Sequence, residues 1–236
     1  MKKKIKIDLY ADGANLASIL KLNKLQHIKG FTTNPSLMKQ SGIENYKIFS
    51  KQILKKIKNK PISFEVFADS VSEMEIQAKE IATWGKNINV KIPITNTKGK
   101  STRDLISKLA KEKIIVNVTA IFTLGQVKNL LKKIKKTDSL ILSIFAGRIA
   151  DTGVDPEPII KKCKELTKKY KNIKILWAST REVFNIFQAE RSGCDIITVS
   201  HDLLAKLKYV DKNLNTFSKD TVKMFYKDAQ KAGYKI

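Results

Sequence analysis

Apolar positions along the chain gather into short runs of β-type residues separated by longer amphipathic stretches, and the two kinds alternate from end to end. Eight runs read as strands: IKIDLYA, IKGFTT, ISFEVFA, INVKIPI, IIVNVTAIF, LILSIFA, IKILWA and DIITVS. Between them lie stretches with apolar residues at helical spacing, among them NYKIFSKQILKKI, EMEIQAKEIATWG, TRDLISKLAKEK, LGQVKNLLKKIKK, PEPIIKKCKELTKKY and REVFNIFQAERSG. Nearly continuous Ile, Val and Leu suits strands covered by helices, the condition of a parallel sheet. Eight such units without a linker or low-complexity tract predict an α/β protein, a single (β/α)8 TIM barrel over residues 1–236 rather than an open doubly wound sheet. DLLAKLKY adds the last helix of the barrel. Residues 217–236 add a C-terminal helix and tail, apolar on Val222, Phe225 and Tyr226, which is expected to pack on its own barrel or on a neighbouring subunit.

Composition narrows the function classes. The chain carries a formal net charge of +24, from 46 Lys and Arg against 22 Asp and Glu. Its lysines are spread through every helix, as in KQILKKIKNK and KKCKELTKKY, rather than clustered with interleaved aromatics, which reads as a solvated surface and not as a nucleic-acid site. A positive field of this size speeds the arrival of anionic, phosphorylated metabolites. No window has the length of a membrane span, and MKKKIKIDLYAD turns acidic before a signal-like apolar segment develops, so a cytoplasmic protein without membrane partners is expected. Cys163 and Cys194 belong to no paired motif, and His27 and His201 are the only histidines. A disulfide framework, a zinc site and a histidine-based triad are therefore not expected.

One residue breaks the apolar pattern. In INVKIPI, Val90 and Ile92 face one side of the strand and Lys91 the other, where a lysine is costly unless something there uses an amine. A barrel gathers its functional groups at the C-terminal ends of its strands. Polar residues recur at those places: Asp12, Thr33 and Asn34, Glu65, Lys91, Asn117 and Thr119, Ser143 and Arg148, and Ser179 and Arg181. A lysine held among apolar groups favours its free amine, the form that attacks a ketone to give a Schiff base. The protonated imine is an electron sink, so a carboxylate that moves a hydroxyl proton can then make or break the adjacent carbon–carbon bond. Asp12 is the candidate carboxylate, with Glu65 relaying protons through a water held by Thr119. Competing structural readings stand beside these: Lys91 paired with Asp12 or Glu65, Asp12 as a turn or cap residue before Gly13, and Asn117 and Thr119 satisfying each other. SIFAGRIADTG and LWASTREVF each place an arginine beside small residues, and the second is expected to open a helix. Arg148, Ser179, Arg181 and helix-start amides suit a phosphate, the alternative being ion pairs to Asp151 and Glu182.

The segments GFTTNPSLM, FEVFAD, VKIPIT, NVTAIFT, SIFAGRIAD, WASTRE and GCDIITV, in this order, resemble the transaldolase family in its short bacterial form, which includes fructose-6-phosphate aldolase. The resemblance implies a barrel enzyme of the pentose phosphate interconversions that needs no cofactor and no metal, with Lys91 as the Schiff-base lysine and Asp12 as general acid/base. It further implies that Glu65 and Thr119 handle the catalytic water, that Asn34, Asn117 and Ser143 orient a dihydroxyacetone unit, and that Arg148, Ser179 and Arg181 hold phosphate. Phosphorylated sugars are the implied partners, and a homo-oligomer, a ring-type pentamer or decamer, the implied assembly. Fructose-6-phosphate aldolases resemble this chain but tend to carry glutamine and tyrosine where Glu65 and Phe145 stand, so the resemblance leans toward transaldolase. YADGAN departs from the commoner LDTA and LDSA forms of the first strand, and GRIADTGVDP has its own loop sequence. Both departures bear on which sugar is held.

Overall fold

Eight parallel strands, each hydrogen-bonded to the next in chain order and the last to the first, close into a barrel in the computed structural model, which describes residues 4–236. The strands are β1 (Asp8–Asp12), β2 (Ile28–Thr32), β3 (Ile62–Glu65), β4 (Ile88–Pro93), β5 (Val116–Ile121), β6 (Leu140–Ile144), β7 (Ile173–Trp177) and β8 (Ile196–Ser200). The helices are α1 (Leu16–Asn23), α2 (Pro35–Gln40), α3 (Tyr46–Lys56), α4 (Val71–Ala82), α5 (Arg103–Lys111), α6 (Leu124–Leu131), α7 (Ala146–Ala150), α8 (Glu157–Thr167), α9 (Phe184–Ser192), α10 (His201–Ala205) and α11 (Leu214–Ala232), with a 3-10 turn at Lys206–Tyr209. The (β/α)8 architecture expected from the alternation is the one observed.

Most of the core lies between the outer faces of the strands and the apolar stripes of the helices, with Phe31, Phe64 and Trp177 almost fully buried. Inside the barrel, Tyr10, Ile141, Leu176, Ala178 and Ile196 form a second cluster. Tyr10 and Ile141 sit one layer nearer the N-terminal end than Asp12 and Ser143, and so plug the barrel beneath the polar layer. Gly30 makes room for this plug: a methyl there would stand 2.6 Å from the Tyr10 ring. Both cysteines are buried and unpaired.

Three local expectations need correction. The stretch beginning GRIAD, expected as loop after the sixth strand, is helical at its start, because α7 runs from Ala146 to Ala150. The β7 loop does not open its helix at Arg181: Asn185 Oδ1 accepts from the backbone amides of Arg181 and Glu182, and α9 begins only at Phe184. Those amides are thereby spent on a side chain. Helix α11 starts at Leu214 rather than at 217, because Asn213 caps it by accepting from the Thr216 amide, and it ends at Gly233 in the left-handed conformation that glycine adopts without strain. None of its residues is buried. Of the two packing partners expected for its apolar face, its own barrel does not cover it; Phe217 stacks on Tyr209 at 5.2 Å, while Val222, Phe225 and Tyr226 remain exposed.

Candidate active site

Lys91 occupies the middle of β4 with only 7% of its surface exposed, pointing into the barrel. Its Nζ lies 2.8 Å from Glu65 Oε2 and donates to the Thr33 carbonyl at 2.7 Å. The two charged residues are direct partners in the β3–β4 register, and Lys91 pairs in turn with Asn117 of β5. Glu65 is held from behind by Tyr46, whose hydroxyl donates to the Glu65 carbonyl at 2.8 Å and accepts from its amide at 2.7 Å. Among the alternatives for Lys91, pairing with Glu65 is therefore present and a direct salt bridge to Asp12 is not.

Asp12 closes β1, beside Thr32 on one flank and Ser200 on the other. Thr32 donates to Asp12 Oδ1 at 2.7 Å and shares a short hydrogen bond with Thr198. Asp12 is not a helix cap; Asn15 performs that task for α1. The cavity leaves Asp12 partly accessible, yet protein surrounds the carboxyl group, and this burial raises its pKa above the ordinary carboxylate value. The Lys91 charge, the Thr32 hydroxyl and His201 oppose the rise. A carboxyl group poised in this way can exist in both protonation states during a reaction.

On the opposite wall, Asn117 donates through Nδ2 to Ser63 Oγ at 3.1 Å, and its Oδ1 accepts from Ser143 at 2.6 Å. Asn117 thus satisfies Ser63 and Ser143, not Thr119. Immediately after Thr119, Ala120 takes a positive φ of 57° where β5 shifts register against β6. Such a conformation costs a non-glycine residue on the order of 1–3 kcal/mol. Asn34 caps α2 by accepting from the Leu37 amide while still lining the cavity.

The rim is built by the loops after β6 and β7, which interlock without clearance. A methyl on Gly147 would lie 1.6 Å from the Ser179 carbonyl oxygen, and Ser179 itself has φ 65°. Arg148 spreads over the Phe145 ring, 5.6 Å from its centroid. Arg181 instead turns to Asp151: its Nε is 3.0 Å from Oδ1 and its Nη2 2.5 Å from Oδ2, and both side chains are about half exposed.

These residues surround a cavity of about 100 Å³ at the C-terminal end of the barrel. Of the residues singled out from sequence, Asp12, Asn34, Lys91, Asn117 and Thr119 line it, with Ser143, Phe145, Arg148 and Ser179. Three do not. Glu65 stands behind Lys91, Arg181 is drawn to Asp151, and the Thr33 hydroxyl is turned away to donate to the Ser63 carbonyl at 3.1 Å. The neighbouring Thr32 takes the inward position, because β2 ends at Thr32 and side chains alternate up to that end. Thr32, Thr198 and Tyr46 were not foreseen; strand alternation in IKGFTT and DIITVS carried a signal for the two threonines, and none marked Tyr46. Among the described residues no group of three or more His, Cys, Asp or Glu is arranged to hold a metal ion.

The sequence profile of a family described as Transaldolase/Fructose-6-phosphate aldolase matches residues 9–236. A probable transaldolase of Nitrosopumilus maritimus is 36% identical over 202 residues, covering 84% of this chain and 86% of its own. A probable transaldolase of Dehalococcoides mccartyi is 34% identical over 200 residues, covering 84% and 89%. Among solved structures, 3-hexulose-6-phosphate synthase from Salmonella typhimurium superposes with a TM-score of 0.55 at 16% identity, over 85% of this chain and 89% of that one. At that identity the likeness is one of fold.

Proposed function

The chain belongs to the transaldolase/fructose-6-phosphate aldolase family, and on that premise we propose that it is a transaldolase, moving a dihydroxyacetone unit from a ketose phosphate such as fructose 6-phosphate to an aldose phosphate such as erythrose 4-phosphate. The observation that carries this reading is the placement of Lys91 and Asp12 in one cavity, with Glu65 against the amine and Arg148 at the rim.

Glu65 takes the ammonium proton of Lys91, and the free amine attacks the donor ketone. Water leaves as the imine forms, with Glu65 and the Thr119 hydroxyl handling the proton transfers. Asp12 then removes the proton of the hydroxyl on the far carbon of the bond to be cut; that oxygen becomes the aldehyde as the bond breaks, the electron pair of the bond passes into the protonated imine, and glyceraldehyde 3-phosphate departs. The remaining three-carbon enamine attacks the acceptor aldehyde, Asp12 returns its proton to the new hydroxyl, and hydrolysis frees Lys91. Asn34, Asn117 and Ser143 orient the three-carbon unit, and Arg148, Ser179 and Arg181 receive the phosphate, Arg181 after exchanging Asp151 for it.

Phe145 favours transfer over simple aldol cleavage. A phenyl ring offers no hydroxyl to assist hydrolysis, so the three-carbon intermediate waits for an aldehyde. The exposed apolar face of α11 supports a homo-oligomer in which this helix reaches a neighbouring copy, and a ring-type pentamer or decamer is the assembly proposed. Among the described residues no helix is long and apolar enough to cross a membrane, and the cytoplasm is the proposed location.

Borohydride reduction in the presence of fructose 6-phosphate, followed by peptide mass spectrometry, tests the reading. A three-carbon adduct on Lys91 is expected. Folded protein that yields no adduct, or a Lys91→Ala variant with full turnover, would sink it.

A further inference from the structure

One buried polar atom at the barrel mouth has no task in the steps above. His201 opens α10 directly after Ser200, the residue paired with Asp12 across β1 and β8. Its ring rests on Gly13: a methyl built there would stand 2.7 Å from Cε1 and 2.8 Å from Nε2. A side chain at position 13 would displace the imidazole, so this glycine is what lets a ring sit against the residue that follows Asp12. Nε2 is buried and without a hydrogen-bond partner among the described residues. An orphaned polar atom packed against the residue that follows a reacting carboxyl group has a natural explanation when its partner forms during the reaction.

We propose that His201 is a positioning residue for Asp12, its Nε2 accepting the carboxyl O–H that forms when Asp12 takes the donor's hydroxyl proton. The inference rests on the proposed role of Asp12. The proton stays on Asp12 throughout: it comes from the donor hydroxyl as the carbon–carbon bond breaks and goes to the new hydroxyl when the acceptor adds. The imidazole needs only an unprotonated Nε2, with its proton on Nδ1. Burial holds the ring below the usual histidine range, while the charges of Asp12 from β1 and Asp202 from α10 pull the other way. Lys91 and Glu65 act on Asp12 from their own strands. A neutral imidazole is thus available at neutral pH. The pairing also gives the segment YADGAN a physical meaning, since the glycine and the histidine form one steric unit.

The test compares His201→Leu, His201→Gln and Asp12→Asn in the full chain. Single-turnover cleavage of fructose 6-phosphate is followed, and borohydride trapping of dihydroxyacetone on Lys91 reports an intact site. His201→Leu is expected to slow cleavage by roughly ten- to a hundredfold with trapping unchanged, and His201→Gln to recover part of the loss. Wild-type cleavage by His201→Leu would overturn the proposal. Should that variant not fold, nitrogen NMR of the wild-type histidines decides: with only His27 and His201 present, Asp12→Asn is expected to move the His201 signals and leave those of His27 in place. Unmoved His201 signals would overturn it as well. If Asp12→Asn itself cleaves at the wild-type rate, the assignment of Asp12 falls; if Asp12→Asn is inactive while His201→Leu is not, His201 alone is misassigned.

Discussion

Lys91 and Glu65 face each other across adjacent strands with Nζ and Oε2 2.8 Å apart, a charged pair at the C-terminal end of the barrel. The pair satisfies two charges that would each be costly alone, and it joins an amine to a group able to take its proton.

Removing one partner separates these two functions. Lys91→Met leaves the Glu65 carboxylate, whose side chain is 19% exposed, without its counter-ion. Urea unfolding is expected to show a loss of about 3 kcal/mol, and borohydride trapping to fail. Glu65→Gln keeps a hydrogen-bonding group beside the amine, so the adduct on Lys91 still accumulates on long incubation, but its rate of formation falls about a hundredfold. An unchanged rate in Glu65→Gln would remove Glu65 from the proposed proton transfers.

Asp12 carries a raised pKa, and the sign of its effect on stability follows. Between its unfolded and folded pKa values the native state binds more proton than the unfolded chain, so stability falls as pH rises through that window. Asp12→Asn removes the cost while leaving an oxygen to accept from Thr32. It is therefore expected to raise Tm at neutral pH, with the gain shrinking as the pH drops through that window and gone below the ordinary carboxylate range, and to slow cleavage by roughly 10²–10⁴-fold. A lower Tm at neutral pH would contradict the buried-charge account.

Gly147 tests the joint between the β6 and β7 loops. Gly147→Ala forces a methyl onto the Ser179 carbonyl, and backbone is the neighbour least able to yield. A loss of about 3 kcal/mol in urea unfolding is expected, with KM for a phosphorylated donor rising even where folded protein is recovered. Wild-type stability would mean that the two loops separate easily.

The arginines predict a split between donors with and without phosphate. Arg148→Ala removes charge-assisted hydrogen bonds worth about 1.5–3 kcal/mol, and should raise KM for fructose 6-phosphate ten- to a hundredfold while barely changing the trapping of dihydroxyacetone. Asp151→Asn frees Arg181 from its present partner and should lower KM for the same donor. If Asp151→Asn leaves KM unchanged, Arg181 does not exchange partners on binding.

Strand alternation reached only part of this site. It placed Lys91 inside the barrel because a lysine amid Ile, Val and Pro must either face a partner or destabilise the strand, and it brought Asp12, Asn117 and Ser143 to strand ends. It slipped at IKGFTT, where Thr33 was expected in the cavity and Thr32 stands there, since the last inward residue depends on where pairing with the neighbouring strand stops. It had no purchase on Arg181, whose long side chain chose Asp151 over the cavity, nor on His201, which comes to rest on Gly13 from the far end of the chain.

From sequence alone came the eightfold repeat, the closed barrel and the inward-facing lysine of its fourth strand, because these depend on local periodicity and on the cost of burying a charge, both of which a strand carries within itself. Tertiary structure decided which carboxylate meets the amine, which threonine turns inward and which arginine is spent on a neighbour. Those outcomes depend on register between strands and on distances between loops, and contacts of that kind are settled only when the barrel closes.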